Sequence, residues 1–224
     1  MANSSPNYVS CRRRVTSSLP SGFTLIELLV VVAILAILAG FVVPAMPSLL
    51  GSQGVGRAVA DVEGVLELAR TEAASRRTYV YVGFVNSTNS LGTSELRIGA
   101  VASKDGTTNQ AGNNLTPLTR LVKISGVKMV DASELPASIS SGVSNFVTAL
   151  TNQVNFSVGP QSFSSAPVVI VSPQGETVPQ AGSVFFKPSI SVGLAQTRGT
   201  TIVRDNGAVV IYRGASGAIE TRRP

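Results

Sequence analysis

Apolar residues follow three different patterns along the chain. From Leu28 to Val43 no residue is charged, and with Phe23–Glu27 the run becomes a 21-residue segment whose one charge is Glu27. At ~1.5 Å per residue a helix of that length spans about 30 Å, the thickness of a bilayer core. Past Pro47 the spacing changes. Val55, Val59, Val62, Leu66, Ala69 and Ala73 recur at intervals of three and four, the repeat of one helix face. Arg57, Asp61, Glu63, Glu67, Arg70, Glu72 and Arg76 take the other positions, and Arg57/Asp61 and Glu72/Arg76 are spaced to pair across a helical turn. This predicts one helix running to about Arg76, bent near Pro44–Gly54, because Pro44 removes a backbone donor and kinks or loosens the turn before it.

Beyond the helix, β-forming residues take over. Strands are expected over Thr78–Val85, Leu96–Val101, Leu118–Val130 with a break at Gly126, Asn152–Val158, Val168–Val171 and Ser183–Phe186. Lys104–Thr116 reads as a polar loop. Thr200–Arg204 and Ala208–Tyr212 flank Asp205-Asn206-Gly207, and Asn-Gly between apolar runs is a strong hairpin signal. A long helix followed by many strands predicts an α+β fold, with the helix packed on an antiparallel β-sheet. No internal repeat is visible.

Charge gives the apolar segment a direction. The chain of 224 residues has a formal net charge of +6, and three of its cations are Arg12, Arg13 and Arg14, ahead of the apolar run. The next basic residue after the run is Arg57, an asymmetry that places the N-terminus in the cytoplasm and the bulk of the chain outside. Charged residues are only 13% of the chain, so much of the polar surface must come from Ser, Thr, Asn, Gln and Gly. There is no His, and the single cysteine, Cys11, precedes the apolar run. That removes the commonest general base, a disulfide framework and Cys- or His-based metal sites. No phosphate-binding glycine loop or nucleophile elbow is present. Neither an enzyme nor a cofactor nor a metal site is expected.

Two ordinary readings of the apolar run leave Glu27 unexplained. A secretory signal has an apolar stretch of about 7–15 residues and a small-residue cleavage site, whereas this run is longer and ends in Pro44, Met46 and Pro47. A simple signal anchor has no use for an acid that costs roughly 2.5–3.5 kcal/mol at a membrane position. The stretch Gly22-Phe23-Thr24-Leu25-Ile26-Glu27, followed by Leu28-Leu29-Val30-Val31, resembles the N-terminal signature of type IV pilins and type II secretion pseudopilins. The resemblance implies that a prepilin peptidase cuts after Gly22 and methylates the new N-terminus at Phe23. The helix is kept, anchors the subunit in the inner membrane and later packs in a filament core. Glu27 then pairs with the Phe23 amine of a neighbouring subunit, which sets the axial register. In that family the stretch before a proline such as Pro44 is often locally melted; a membrane-exit boundary at Pro44 is the alternative.

The resemblance divides the chain into a leader (1–22), a transmembrane and filament-core helix (23–43), its amphipathic continuation (44–77) and a β-rich extracytoplasmic domain (78–224). Ala69-Arg70-Thr71-Glu72-Ala73, ahead of the first strand, resembles the minor GspH/FimT-type branch. Departures stand beside it: the leader is long, Gly207 is followed by Ala208 instead of Arg, and Val130 to Pro188 has no counterpart. The implied partners are the prepilin peptidase, other pilin or pseudopilin subunits, an inner-membrane assembly platform and membrane lipid around the helix. The expected function is that of a structural, minor filament subunit. DNA capture is the alternative, with Arg204, Arg213, Arg222 and Arg223 neutralising phosphates and Tyr212 stacking on a base. A signal-anchored extracytoplasmic domain is a further alternative.

Overall fold

The computed structural model describes residues 24–42, 46–150, 154–158, 161–165, 167–179, 182 and 185–224, which fall in two compact units, Met1–Ala45 and Met46–Pro224. In the first unit, helix α1 covers Leu25–Val42. It is apolar all round rather than striped, and its described side chains are exposed, from Leu25 at 84% to Leu38 at 54%. Such a helix has no preferred face and needs an apolar environment on every side. Among the described residues no helix is long and apolar enough to cross a membrane. The expected 21-residue span includes Phe23 and Val43, which lie outside them, as does Pro44 with its expected kink.

The second unit opens with helix α2, Met46–Arg76. Its expected stripe is buried: Val55, Val59, Val62, Leu66, Ala69 and Ala73, joined by Ala58 and Val65, are all 6% exposed or less. Both expected ion pairs form, Arg57–Asp61 at 3.6 Å and Glu72–Arg76 at 2.5 Å. The helix stops at Arg77, whose φ of +50° lets Thr78 N–H donate to Ala73 O at 3.1 Å. That is the six-to-one closure usually built on glycine. Thr78 is buried, and its hydroxyl donates to Ser103 O at 2.7 Å, tying the helix end to the sheet.

Among the described residues twelve strands follow: β1 Val80–Thr88, β2 Ser94–Ser103, β3 Leu115–Pro117, β4 Val122–Ser125, β5 Val127–Val130, β6 Val154–Val158, β7 Gln161–Ser165, β8 Val168–Val171, β9 Thr177–Val178, β10 Ser189–Arg198, β11 Thr201–Arg213 and β12 Ile219–Arg222. A short helix, α3, covers Ala137–Ser140. The strands form two principal antiparallel sheets instead of the one expected. The first has the order β3-β2-β1-β8-β9 with β4 also on β2, the second is β12-β11-β10-β5, and β6-β7 is a separate ribbon.

Helix α2 covers one face of both sheets. Val80, Val82 and Phe84 of β1 share its core with Ile190, Val192 and Leu194 of β10 and Ala208, Val210 and Tyr212 of β11. The alternate residues are buried as well. Tyr81, Val168 and Ile170 pack on the far side of the first sheet, and Ala195, Val209 and Ile211 on the far side of the second. Burial on both faces explains why these strands read as continuous apolar runs. The sheets are joined by the amide of Asn86, which donates to Met129 O and accepts from Met129 N, both at 2.8 Å.

The expected break at Gly126 is present, at φ +76°, but the strand before it, β4, starts at Val122, and the break passes the chain from the first sheet to β5 in the second. Other strand expectations are corrected. The polar loop 104–116 closes in a 3-10 turn, Gly112–Asn114, and enters β3. Of Ser183–Phe186, the described residues Phe185 and Phe186 are not in a strand. Asp205-Asn206-Gly207 is not a hairpin turn. It lies inside β11, where Ala195 faces Gly207 and Gln196 faces Val203, so 204–206 form a bulge. The turn is Gly199-Thr200, with Gly199 at φ +62°. Gly207 is needed for space, since a Cβ there would lie 2.6 Å from Leu135 Cδ2 and 3.0 Å from Leu194 O.

Candidate functional site

The site expected from sequence is the start of α1. Gly22 and Phe23 lie outside the described residues, and Glu27 stands in the first turn. Its Oε2 accepts from Thr24 N at 2.9 Å and Thr24 Oγ1 at 3.0 Å, while Glu27 N donates to Thr24 Oγ1 at 3.3 Å. This is a reciprocal capping box, and Thr24-Leu25-Ile26-Glu27 carries its sequence signature. Two donors that a helix start would leave orphaned are satisfied, and a carboxylate sits where the helix dipole favours it. Thr24 is therefore part of the site, although attention to Glu27 alone passes over it. Both residues are exposed in the single chain.

The residues expected to contact DNA are not brought together on one open surface. Tyr212 is 1% exposed and faces α2, so its ring cannot stack on a base. Burial raises its phenol pKa, with the positive charge of Arg70 acting in the opposite direction. Arg213 and Arg222 grip the same carboxylate, Glu220, each at 2.9 Å. The two arginines, Arg222 first, hold the Glu220 carboxyl below its usual range. Arg204 lies in the β11 bulge, on a different part of the second sheet. Arg223 lies beside Gly56 of α2, its Nη1 3.9 Å from where a Cβ would stand.

Arg70, in the Ala69–Ala73 segment, has a packing role. A Cβ at Gly217, where φ is +68°, would fall 2.4 Å from its guanidinium group. A Cβ at Gly175, where φ is +79°, would fall 3.3 Å from its Cγ. Arg70 thus runs under the β8–β9 and β11–β12 turns and seats both on α2. Sequence spacing marked the arginine but not the two glycines that admit it.

One further polar centre orders a loop. Asp105 Oδ1 accepts from Ser103 Oγ (2.9 Å), Thr107 N (2.9 Å), Thr107 Oγ1 (2.8 Å) and Asn114 Nδ2 (2.8 Å). The Thr107 amide, then Asn114, hold this carboxyl far below the usual carboxylate range. Because the folded pKa is depressed, the stabilising contribution is full above the unfolded value of about 4 and is lost as pH falls below it. Protection of the Thr107 amide from exchange, taken relative to its intrinsic rate at each pH, is expected to fall below about pH 4, and Asp105→Asn to remove most of that pH dependence. Equal pH dependence in the two proteins would refute the assignment.

Residues 20–43 match the family described as the Prokaryotic N-terminal methylation motif. No curated protein and no solved structure matches the chain. The motif is a type IV pilin-like prepilin signal, and it points to a structural subunit rather than an enzyme. A chain that carries it is implied to be processed by prepilin peptidase and assembled with other pilins.

Proposed function

We propose that the protein is a minor structural subunit of a type IV pilus or a type II secretion pseudopilus, with the Ala69–Ala73 segment and the absence of downstream cysteines favouring a minor over a major role. Prepilin peptidase cleaves between Gly22 and Phe23 and methylates the Phe23 amine. The segment 23–43 then anchors the subunit in the inner membrane, N-terminus inward, and an assembly platform moves it into the filament. The observation that carries this reading is the methylation motif, with Glu27 as the one charge in an all-apolar α1.

The mechanism is electrostatic pairing at an apolar site. Cleavage creates a positive amine one residue before Thr24. When α1 packs against other copies, an unpaired Glu27 carboxylate would be expensive to bury, and a neighbour's Phe23 amine relieves that cost. The pairing selects one axial register more than it adds stability.

The test is co-expression of the full chain with a prepilin peptidase, followed by intact mass and N-terminal sequencing. The expected product begins at N-methylated Phe23. A chain still beginning at Met1, or cut after the apolar helix, overturns the reading.

A further inference from the structure

The second sheet ends in β12, and the outer side of that strand is open. Arg213 N–H donates to Ala218 O at 2.9 Å and Gly217 N–H donates to Arg213 O at 2.8 Å, a bulge that starts the ladder with Arg213 bonded across to β12. By the alternation of an antiparallel ladder, Ile211 with Glu220 and Val209 with Arg222 are hydrogen-bonded pairs. The N–H and C=O groups of Ile219 and Thr221 therefore point away from β11, and no described strand pairs on that side. Such a row of backbone groups is a template for another strand. On the α2 side the edge borders a cleft of ≈ 360 Å³ lined by Gly56, Val59, Ala60, Glu63, Thr221 and Arg223. Thr221 Oγ1 donates to Glu63 Oε1 and fixes the strand against the helix. On the opposite face stand Glu220 and Arg222.

We propose that this edge pairs antiparallel with β12 of a second copy of the chain, centred on Thr221. The charges select both the partner and the register. Only Ile219, Thr221 and Arg223 offer outward backbone groups, so a symmetric pairing has few alignments. Placing Thr221 opposite the partner's Thr221 sets Glu220 opposite the partner's Arg222, and Arg222 opposite the partner's Glu220. Sliding by one pleat in one direction sets Glu220 against the partner's Glu220. Sliding the other way sets Arg222 against the partner's Arg222. Directly opposed like charges destabilise a ladder and opposite charges stabilise it, so one register stands out. Because the same edge serves both copies, the contact is closed and two-fold instead of propagating. An edge with three outward residues per copy is a short contact beside the roughly 1,000 Å² of a standard interface, so it is read by covalent trapping.

Disulfide trapping reads the register directly. The full chain, purified in detergent with its single cysteine removed (Cys11→Ser), is oxidised after adding one cysteine at a time. Thr221→Cys is expected to give a covalent dimer, because opposed hydrogen-bonded residues have Cα atoms about 5.5 Å apart, within disulfide range. Ile219→Cys alone and Arg223→Cys alone are expected to give none, since like positions lie four residues apart, about 13 Å. Mixing these two variants is expected to give the mixed dimer, and this reads the register with Thr221 and its bond to Glu63 intact. Glu220→Arg is expected to cut Thr221→Cys trapping more than tenfold, and Glu220→Arg/Arg222→Glu to restore it. Absence of both the Thr221→Cys dimer and the mixed dimer overturns the proposal. So does equal trapping at 219, 221 and 223, or failure of the charge exchange to restore trapping.

Discussion

Gly214→Ala is expected to destabilise the β-rich unit by more than about 4 kcal/mol, an effect reserved for substitutions that break packing or a network outright. A Cβ at this position would lie 1.6 Å from Lys187 O and 2.6 Å from Thr177 Oγ1. No side-chain rotation removes that clash, because its nearest atom is backbone. The backbone there is also bonded to its neighbours. Gly214 N donates to Pro188 O at 3.0 Å, Thr177 N donates to Gly214 O at 3.1 Å, and Lys187 N donates to Thr177 O at 2.7 Å. Three chain segments meet where the first sheet, through β9, touches the second, through the end of β11. Gly64→Ala on the exposed side of α2 is the control. Nothing lies within 4 Å of its Cβ position, and alanine is expected to stabilise a helix interior by about 0.5–1 kcal/mol. Urea titration followed by circular dichroism measures both. A Gly214→Ala protein within 1 kcal/mol of the parent would contradict the geometry.

The second large effect belongs to Glu27 and rests on the proposed function. Glu27→Ala is expected to leave cleavage after Gly22 intact and to reduce filament incorporation roughly 100-fold, the equivalent of about 3 kcal/mol for a charge left unpaired or absent in an apolar site. The capping box complicates a single alanine variant, since Glu27 also closes the first turn with Thr24. Glu27→Gln separates the roles, because an amide oxygen can still accept from Thr24 but carries no charge. Thr24→Ala removes the cap and keeps the charge, at about 1 kcal/mol of helix stability. Incorporation of the glutamine variant at the parent level, measured by immunoblot of sheared filaments, would sink the charge-pairing mechanism.

Local order was legible in the sequence wherever one face of an element is buried or one residue type does one task. The α2 stripe follows a helical repeat, and every residue of it is in the core. The methylation motif is legible because cleavage and capping both use neighbouring residues. β8, Val168–Val171, has the bounds its apolar run suggests. What escaped depends on partners far along the chain. β10 was missed because small residues (Ser191, Gly193, Ala195) alternate with its apolar ones, and Gly193 reads as a strand breaker. It is there for space, as its Cβ would lie 2.4 Å from Val130 O. Asn206-Gly207 carried a turn signature but packs under Leu135 within a strand, so tertiary contact overrode local preference. The division into two sheets could not be read locally either, since β4 and β5 are separated by Gly126 alone and join different partners.

The sheet order also sets a timetable for folding. β5 finds its strand partner β10 only after about 60 further residues, Val130 opposite Gly193, and β1 pairs with β8 as Val80 opposite Val171. Helix α2, made earlier, shares its core with Val210 and Tyr212 of β11. A chain delivered from its N-terminus therefore holds an uncovered apolar stripe and unmated strands until its last forty residues arrive, at ~5–20 residues per second for synthesis. Long-range pairing of this kind slows folding, and the interval before closure is when such a chain aggregates or needs a chaperone's protection.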